Sequence, residues 1–298
     1  MERVRRTDPR YGRGSHTISS AELPADYATS AQVVRALQER FTSPGYQPPV
    51  LPAVALRVHQ MASDGRSSIV EMAELIETDA FIAAGVLRLA RSPRYATRVP
   101  PSTLKQAVSR LGAVTTRDLV YQVVTSGGMF RAPGLDRTVQ ELAQHGLVTG
   151  HFARLLAGKQ GLGEHAFLFG LLHDVGLAAV LVALAEQSPR DPTKVLEWIV
   201  DDLEALHQLA GGIVTRAWEM PGELVVVASE HHAPTTKWSA VVRVAERVAI
   251  EHGFGVGLPD GSTERVSDDE LRVACEILSM SDEMMERFRA SATALIQS

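Results

Sequence analysis

Ala166-Phe-Leu-Phe-Gly-Leu-Leu-His-Asp-Val-Gly176 decides how this chain is read. Residues 166–172 carry no charge and no polar side chain, so they predict a segment buried on every side. His173 and Asp174 follow at once, and neither belongs in an apolar interior without a partner. Gly176 then offers an expected break in the helix. A histidine and an aspartate side by side at the inner end of a buried helix can aim a ring nitrogen and a carboxylate oxygen at one point. That is a metal-site arrangement, and its partners must come from elsewhere in the chain.

On both sides of this stretch the apolar periodicity is helical. Ser30 is the expected cap of a helix reaching Phe41, and the Pro- and Gly-rich residues 43–49 end it. Helices follow from Leu51, with a capping box at Ser68 and Glu71 and caps at Asp79 and Ser102. Gly112 lies past the end of one helix, and residues 115–125 form another. Gly127-Gly128 and Pro133-Gly134 mark a boundary between two lobes. Asp136 opens a long helix to Lys159, and Asp191-Pro192 starts one that runs through Trp198 to His207. Gly211-Gly212 is an expected interruption, and Pro221 opens the helix bearing His231-His232. Residues 240–251 form a helix containing Glu246, and a Gly-rich turn over 253–261 precedes two short helices. With no strand pattern or repeat, the expected fold is all-α, a two-lobed helical bundle. The expected segments are a disordered basic tail (1–29), a leading helix and linker (30–50), an N-terminal helical half (51–130), a second half (131–252) and C-terminal helices (253–298).

A hydrophobic content of 45% with 22% charged residues is that of a globular protein, and the net charge of −5 gives no reason to expect nucleic acid as a partner. Five arginines lie within the first fifteen residues, but no signal-peptide core follows them. Cys275 is the sole cysteine, which excludes an intrachain disulfide and fits a reducing cytoplasm. Residues 166–185 are long enough to span a membrane, yet His173 and Asp174 sit near the middle, where an Asp costs about 2.5–3.5 kcal/mol. A buried pair of core helices explains them better, so no membrane span is expected.

The candidate ligands are His145, His173, Asp174, His207, His231 and His232, with Glu246 as a further carboxylate. They fall on successive helices or helix ends, which lets a bundle interior collect them. Imidazole and carboxylate donors together suit iron, manganese or zinc. Each residue alone also has an ordinary reading. His145 fits a hydrogen-bonded core histidine, His231-His232 a surface pair, and Glu246 an exposed ion pair between Arg243 and Arg247. His16, His59, His151, His165 and His252 are read as structural or exposed. The order is what raises the set above its members: His, then His-Asp, then His, then His-His, then a carboxylate.

That order resembles the HD superfamily of metal-dependent phosphohydrolases, and more closely the HDOD domain, the HD-related output domain of bacterial signalling. The resemblance runs from Leu51 to Ala249. In the first half it rests on Leu51-Pro-Ala-Val-Ala-Leu, Glu71-Met-Ala-Glu-Leu-Ile-Glu-Thr-Asp79, Leu87-Arg-Leu-Ala-Arg-Ser92 and Ala107-Val-Ser-Arg-Leu-Gly112. In the second it rests on Leu171-Leu-His-Asp-Val-Gly176, Trp218-Glu-Met-Pro221, His231-His232 and Val244-Ala-Glu-Arg-Val-Ala249. The first-half segments have no place in an ordinary HD phosphohydrolase, so they single out HDOD. Catalytic HD-GYP phosphodiesterases carry a lysine where Leu177 stands, and a Gly-Tyr-Pro segment where Ala-Pro-Thr-Thr-Lys follows His232. Glu246 replaces their aspartate, and Arg91 stands where HDOD proteins usually have asparagine.

The resemblance therefore implies a degenerate HD-type bundle behind an N-terminal helical subdomain. It implies a cytoplasmic bacterial signalling protein that acts through protein partners or a small ligand such as a nucleotide or cyclic dinucleotide. The cofactor is none, or a divalent metal in a degenerate site. The alternative is a metal-dependent phosphohydrolase acting on a cyclic dinucleotide or nucleotide, and a sensor that binds without turnover stands between the two. No receiver, kinase or cyclase pattern accompanies the domain in this sequence.

Overall fold

The computed structural model describes residues 29–64, 68–95, 98–163, 165–188, 190–258 and 266–297. The expected basic tail lies outside these residues except for Thr29, and so do residues 259–261 of the Gly-rich turn. Among the described residues the chain is all-helical and contains no strand.

Helix α1 (Ser30–Thr42) is capped by Thr29 rather than Ser30, because Thr29 and Gln32 form the reciprocal capping box. Helices α2 (Ala53–Asp64), α3 (Ile69–Glu77) and α4 (Ala80–Ala90) pack against α5 (Leu104–Ser126). Ser68 and Glu71 close the α3 box and Asp79 caps α4, as their positions predict. Thr103, not the neighbouring Ser102, caps α5. Gly112 breaks that helix at φ 76°, a left-handed value that a residue with a Cβ adopts at a cost. Residues 127–135 then turn the chain into α6 (Asp136–Lys159).

The second half comprises α7 (Ala166–Leu172), α8 (Val175–Gln187), α9 (Pro192–Trp198), α10 (Leu203–Ala217), α11 (Gly222–Glu230) and α12 (Lys237–Glu251). The helix expected from Asp191 to His207 is two helices, divided by a 3₁₀ turn at Val200–Asp202. Helices α13 (Asp268–Ile277) and α14 (Asp282–Gln297) close a smaller core with α6 and α12. The main core is shared by both halves of the chain, and α1 packs on α10. The linker is docked as well, since Trp218 Nε1 donates to the Pro49 carbonyl at 2.8 Å. Residues 166–187 are apolar enough to cross a membrane by composition, but nearly all of that stretch is buried in the fold.

Two glycine readings need correction. The break after α7 falls at His173-Asp174, while Gly176 lies inside the first turn of α8. Likewise α10 runs through Gly211-Gly212 without interruption. Both positions serve close approach: a Cβ on Gly176 would meet the His207 carbonyl at 1.8 Å and the Gly211 nitrogen at 2.4 Å. The α8–α10 contact is thus made backbone to backbone, and it holds His207 beside Asp174. Gly176→Ala is accordingly expected to destabilise by about 1–3 kcal/mol or more, because backbone cannot yield as a side-chain tip can. Gly158→Ala, in an open helical position, is expected to stabilise by about 0.5–1 kcal/mol. Urea unfolding of the two variants checks both signs, and equal midpoints would refute the packing argument.

Candidate metal centre

Three helices and two turns deliver the donor atoms. His145 lies midway along α6, and α7 packs closely on α6 because Gly150 and Gly170 meet without side chains between them. That contact sets His173 opposite His145. Asp174 occupies the non-helical position before α8, His207 lies on α10, and Glu246 on α12. His231 and His232 follow the end of α11 rather than sitting within it. All seven residues are buried, the most exposed being His232 at 5%.

The histidines are oriented through their backs. Nδ1 of His145, His173, His207 and His231 faces the carbonyls of Phe254, Gly170, Leu203 and Val227 at 2.6, 2.8, 3.0 and 3.1 Å. A carbonyl only accepts, so in each neutral ring Nδ1 carries the hydrogen and Nε2 presents a lone pair inward. Asp174 lies between these lone pairs. Its Oδ2 is 3.1 Å from His173 Nε2 and 3.6 Å from His145 Nε2. Its Oδ1 is 3.1 Å from His231 Nε2 and 3.6 Å from His207 Nε2. His145 Nε2 and His173 Nε2 are 3.3 Å apart.

Close as they are, these atoms do not satisfy one another. By geometry both Asp174 oxygens and His231 Nε2 have no hydrogen-bond partner despite the 3.1 Å contacts. Inward lone pairs facing a carboxylate repel unless a cation or a proton stands among them. Donors held about 2.0–2.2 Å from one ion at angles of 90–110° lie about 3.0–3.5 Å apart, close to the separations seen here. The donor set therefore fits a divalent ion. Two adjoining groups of these donors lie within coordinating reach, one of His145, His173 and Glu246 and one of Asp174, His207, His231 and His232.

Protonation follows from the same geometry. Burial, aided by the neighbouring His173, lowers the pKa of His145. Burial also pulls His207 down to about 4 and, with His231 and Arg243 adding to it, His232 well below the usual value. His173 goes the other way: burial opposes its charge, but Asp174 outweighs burial and raises the pKa. Burial would raise Asp174, yet His173 and His231 hold it well below the usual range. In metal-free protein His173 is thus the natural site for the proton that a bound ion replaces.

Glu246 is not an exposed ion pair. It is fully buried, and Arg243 Nη1 donates to its two oxygens at 2.8 and 2.7 Å. Burial would raise its pKa, but the guanidinium lowers it. Arg247 turns outward to Glu251 and Asp268 instead. Arg243 was invisible as a site residue in the sequence, although an arginine amid Val241, Val242, Val244 and Ala245 was the available signal. A second buried network, Arg117 and Arg154 on Asp118, lies on α5 and α6 and was also missed. Leu177, where a catalytic relative would place a cation, is buried in the apolar core.

A helical bundle whose interior gathers His, His-Asp, His, His-His and a carboxylate in this order is a domain of the HD-superfamily type. The HDOD domain family matches residues 49–234, more than half of the chain, and the chain belongs to that family. Among solved structures it is similar to an HDOD domain protein of unknown function from Geobacter sulfurreducens. Their TM-score is 0.66 at 22% identity, over 89% of this chain and 95% of that one. It is also similar to a Shewanella amazonensis protein described provisionally as a metal-dependent phosphohydrolase. There the TM-score is 0.64 at 21% identity, over 88% and 99% of the two chains. These likenesses establish the fold. An uncharacterized protein of Treponema pallidum is 26% identical over 196 residues, which is 62% of this chain but 37% of that protein.

Proposed function

We propose that this is a non-catalytic signalling protein of the HDOD type, in which a divalent ion bound by His145, His173, Asp174 and their neighbours braces the domain. Partner proteins or a small ligand would read its surface. The observation that carries this reading is the enclosure of the donor set. His145, His173, His231 and Glu246 are each 0% exposed, which admits an ion but leaves a phosphoester no approach to it. Leu177 points the same way, because phosphate chemistry requires a positive group and leucine supplies none. The reading includes a cytoplasmic location, and it treats residues 51–130 and 131–252 as the two halves of one signalling domain.

The rival reading, a metal-dependent phosphohydrolase, draws support from the completeness of the donor set and from the Shewanella relative's description. In that case the ion would polarise a phosphoryl oxygen and activate a water, while the histidines and Asp174 would hold it. The two readings separate on turnover. Protein supplied with manganese or iron is expected to show no enzymatic hydrolysis of cyclic dinucleotides or simple phosphoesters. Losing one well-placed transition-state donor alone costs a factor of roughly 10²–10³. Turnover near ~1 s⁻¹ that disappears in Asp174→Asn would make the protein an enzyme and end the proposal.

A further inference from the structure

We propose that Arg243 restricts the centre to a single ion by fixing His232 as a hydrogen-bond donor to His207. The proposal rests on the metal centre described above and adds its stoichiometry.

The positions of the protons follow from the contacts of one guanidinium. Arg243 is fully buried, and its Nη1 is committed to both oxygens of Glu246. Its Nη2 donates to Glu270 Oε2 at 3.0 Å and to His232 Nδ1 at 3.1 Å. Arginine has no acceptor and stays charged, so His232 Nδ1 must be the acceptor. In the neutral ring the hydrogen then sits on Nε2, which lies 3.1 Å from His207 Nε2. His207 presents a lone pair there, since its Nδ1 donates to the Leu203 carbonyl. Arg243, His232 and His207 thus form a relay with one direction, each donating to the next. His232 has the opposite tautomer to the other four histidines.

The consequence falls on one of the two donor groups. Of Asp174, His207, His231 and His232, the last has no lone pair to offer, and that of His207 is occupied by the His232 hydrogen. Asp174 and His231 remain, fewer than the three protein ligands that even an open zinc site employs. The other group is intact: His145 and His173 present lone pairs, Asp174 Oδ2 lies beside both, and Glu246 is within reach. One ion has a complete set and a second does not. Glu270 keeps the guanidinium in place from α13, where it also closes the capping box with Ser267.

Removing the guanidinium should release the second group. Glu204 Oε1 lies 3.8 Å from His232 Nδ1, and a carboxylate on that side favours a hydrogen on that nitrogen. His232 could then carry its hydrogen on Nδ1 and turn a lone pair inward like the other four. The test is to load metal-stripped protein with manganese, or with zinc, and to count ions per chain by mass spectrometry after desalting. Wild type is expected to retain one ion and Arg243→Met two. Two ions in wild type, or one in both proteins, would overturn the proposal and leave the metal centre standing. No ion in wild type would remove the metal centre, and the proposal with it. Because Arg243→Met strands the buried Glu246 charge and could unfold, nitrogen-15 spectra of the metal-free wild type give a second measurement. They should show His232 with its hydrogen on Nε2, while His145, His207 and His231 carry theirs on Nδ1. A hydrogen on His232 Nδ1 would refute the proposal without any variant.

Discussion

Metal-free protein is expected to lose stability steeply as the pH falls from about 6.5 towards 4. Burial holds His207 at about 4, His145 lower than usual and His232 well below the usual value. Burial, with Arg117 adding to it, also takes His59 to about 4, and burial with Arg94 and Arg154 takes His151 to about 2. Each ring protonates readily once unfolded, with an ordinary pKa of about 6.5. Below that pH the unfolded state binds more protons, so these contributions are complete above pH 6.5 and decline as the pH drops through the folded values. For His207 alone, a depression from 6.5 to about 4 corresponds to about 3 kcal/mol. His173 works in the opposite sense, because its raised pKa gives a contribution that is present in acid and lost as the pH rises through it. One ring with that sign does not balance five with the other. Urea midpoints at about pH 7.5 and about pH 5 measure the difference. An unchanged midpoint would mean that the rings are not buried as neutral groups. A bound ion should add stability that is itself lost in acid, since protons compete with it for the same nitrogens.

The helices were legible because their signals are local. Ser68-Glu71 and Asp79 state their own capping bonds within three residues, and the period-3.6 apolar spacing needs no knowledge of the partner helix. Glycine was misread for the opposite reason. At Gly176 and Gly211 the sequence signal matches a helix stop, but the cause is a neighbouring backbone tens of residues away. Only the packing of α8 on α10, and of α10 on α11, decides between the two.

The candidate site divides along the same line. His145, His173, Asp174, His207, His231, His232 and Glu246 were identified by order, and the fold brings all of them to one buried place. What order could not convey is the direction of each nitrogen, which depends on carbonyls such as Phe254 O and on Arg243. An arginine buried inside a helix reads in sequence as one more exposed charge. Its meaning appears only when Glu246, three residues on, and Glu270, on another helix, are found against it. Replacing a buried ion pair by apolar groups is often neutral for stability, so the contacts of such a pair say more about what it orients than about how much it stabilises.

Asp174→Asn is expected to separate a metal centre from a merely structural cluster, because the two demand opposite things of that side chain. In a metal centre the carboxylate supplies negative charge and two donors, and in metal-free protein it is crowded by lone pairs. Both of its oxygens and His231 Nε2 are then left without hydrogen bonds. An amide has the same shape, no charge and two N–H donors that those ring nitrogens can accept. At a pH above the raised pKa of His173, the metal-free variant should melt at or above the wild-type temperature. Wild type should respond to manganese or zinc. At free metal 100 times the dissociation constant, binding stabilises by about 2.7 kcal/mol, a rise of roughly 4–5 °C for a chain of this size. The variant should lose that rise, because the amide neither neutralises the ion nor bridges the donors on its two sides. An undiminished rise in the variant would show that Asp174 is not a ligand. A metal-free variant weakened by several kcal/mol would show instead that the carboxylate is held by the histidines themselves, as in a buried ion pair that loses one partner. The cluster would then be structural, and the ion unnecessary to it.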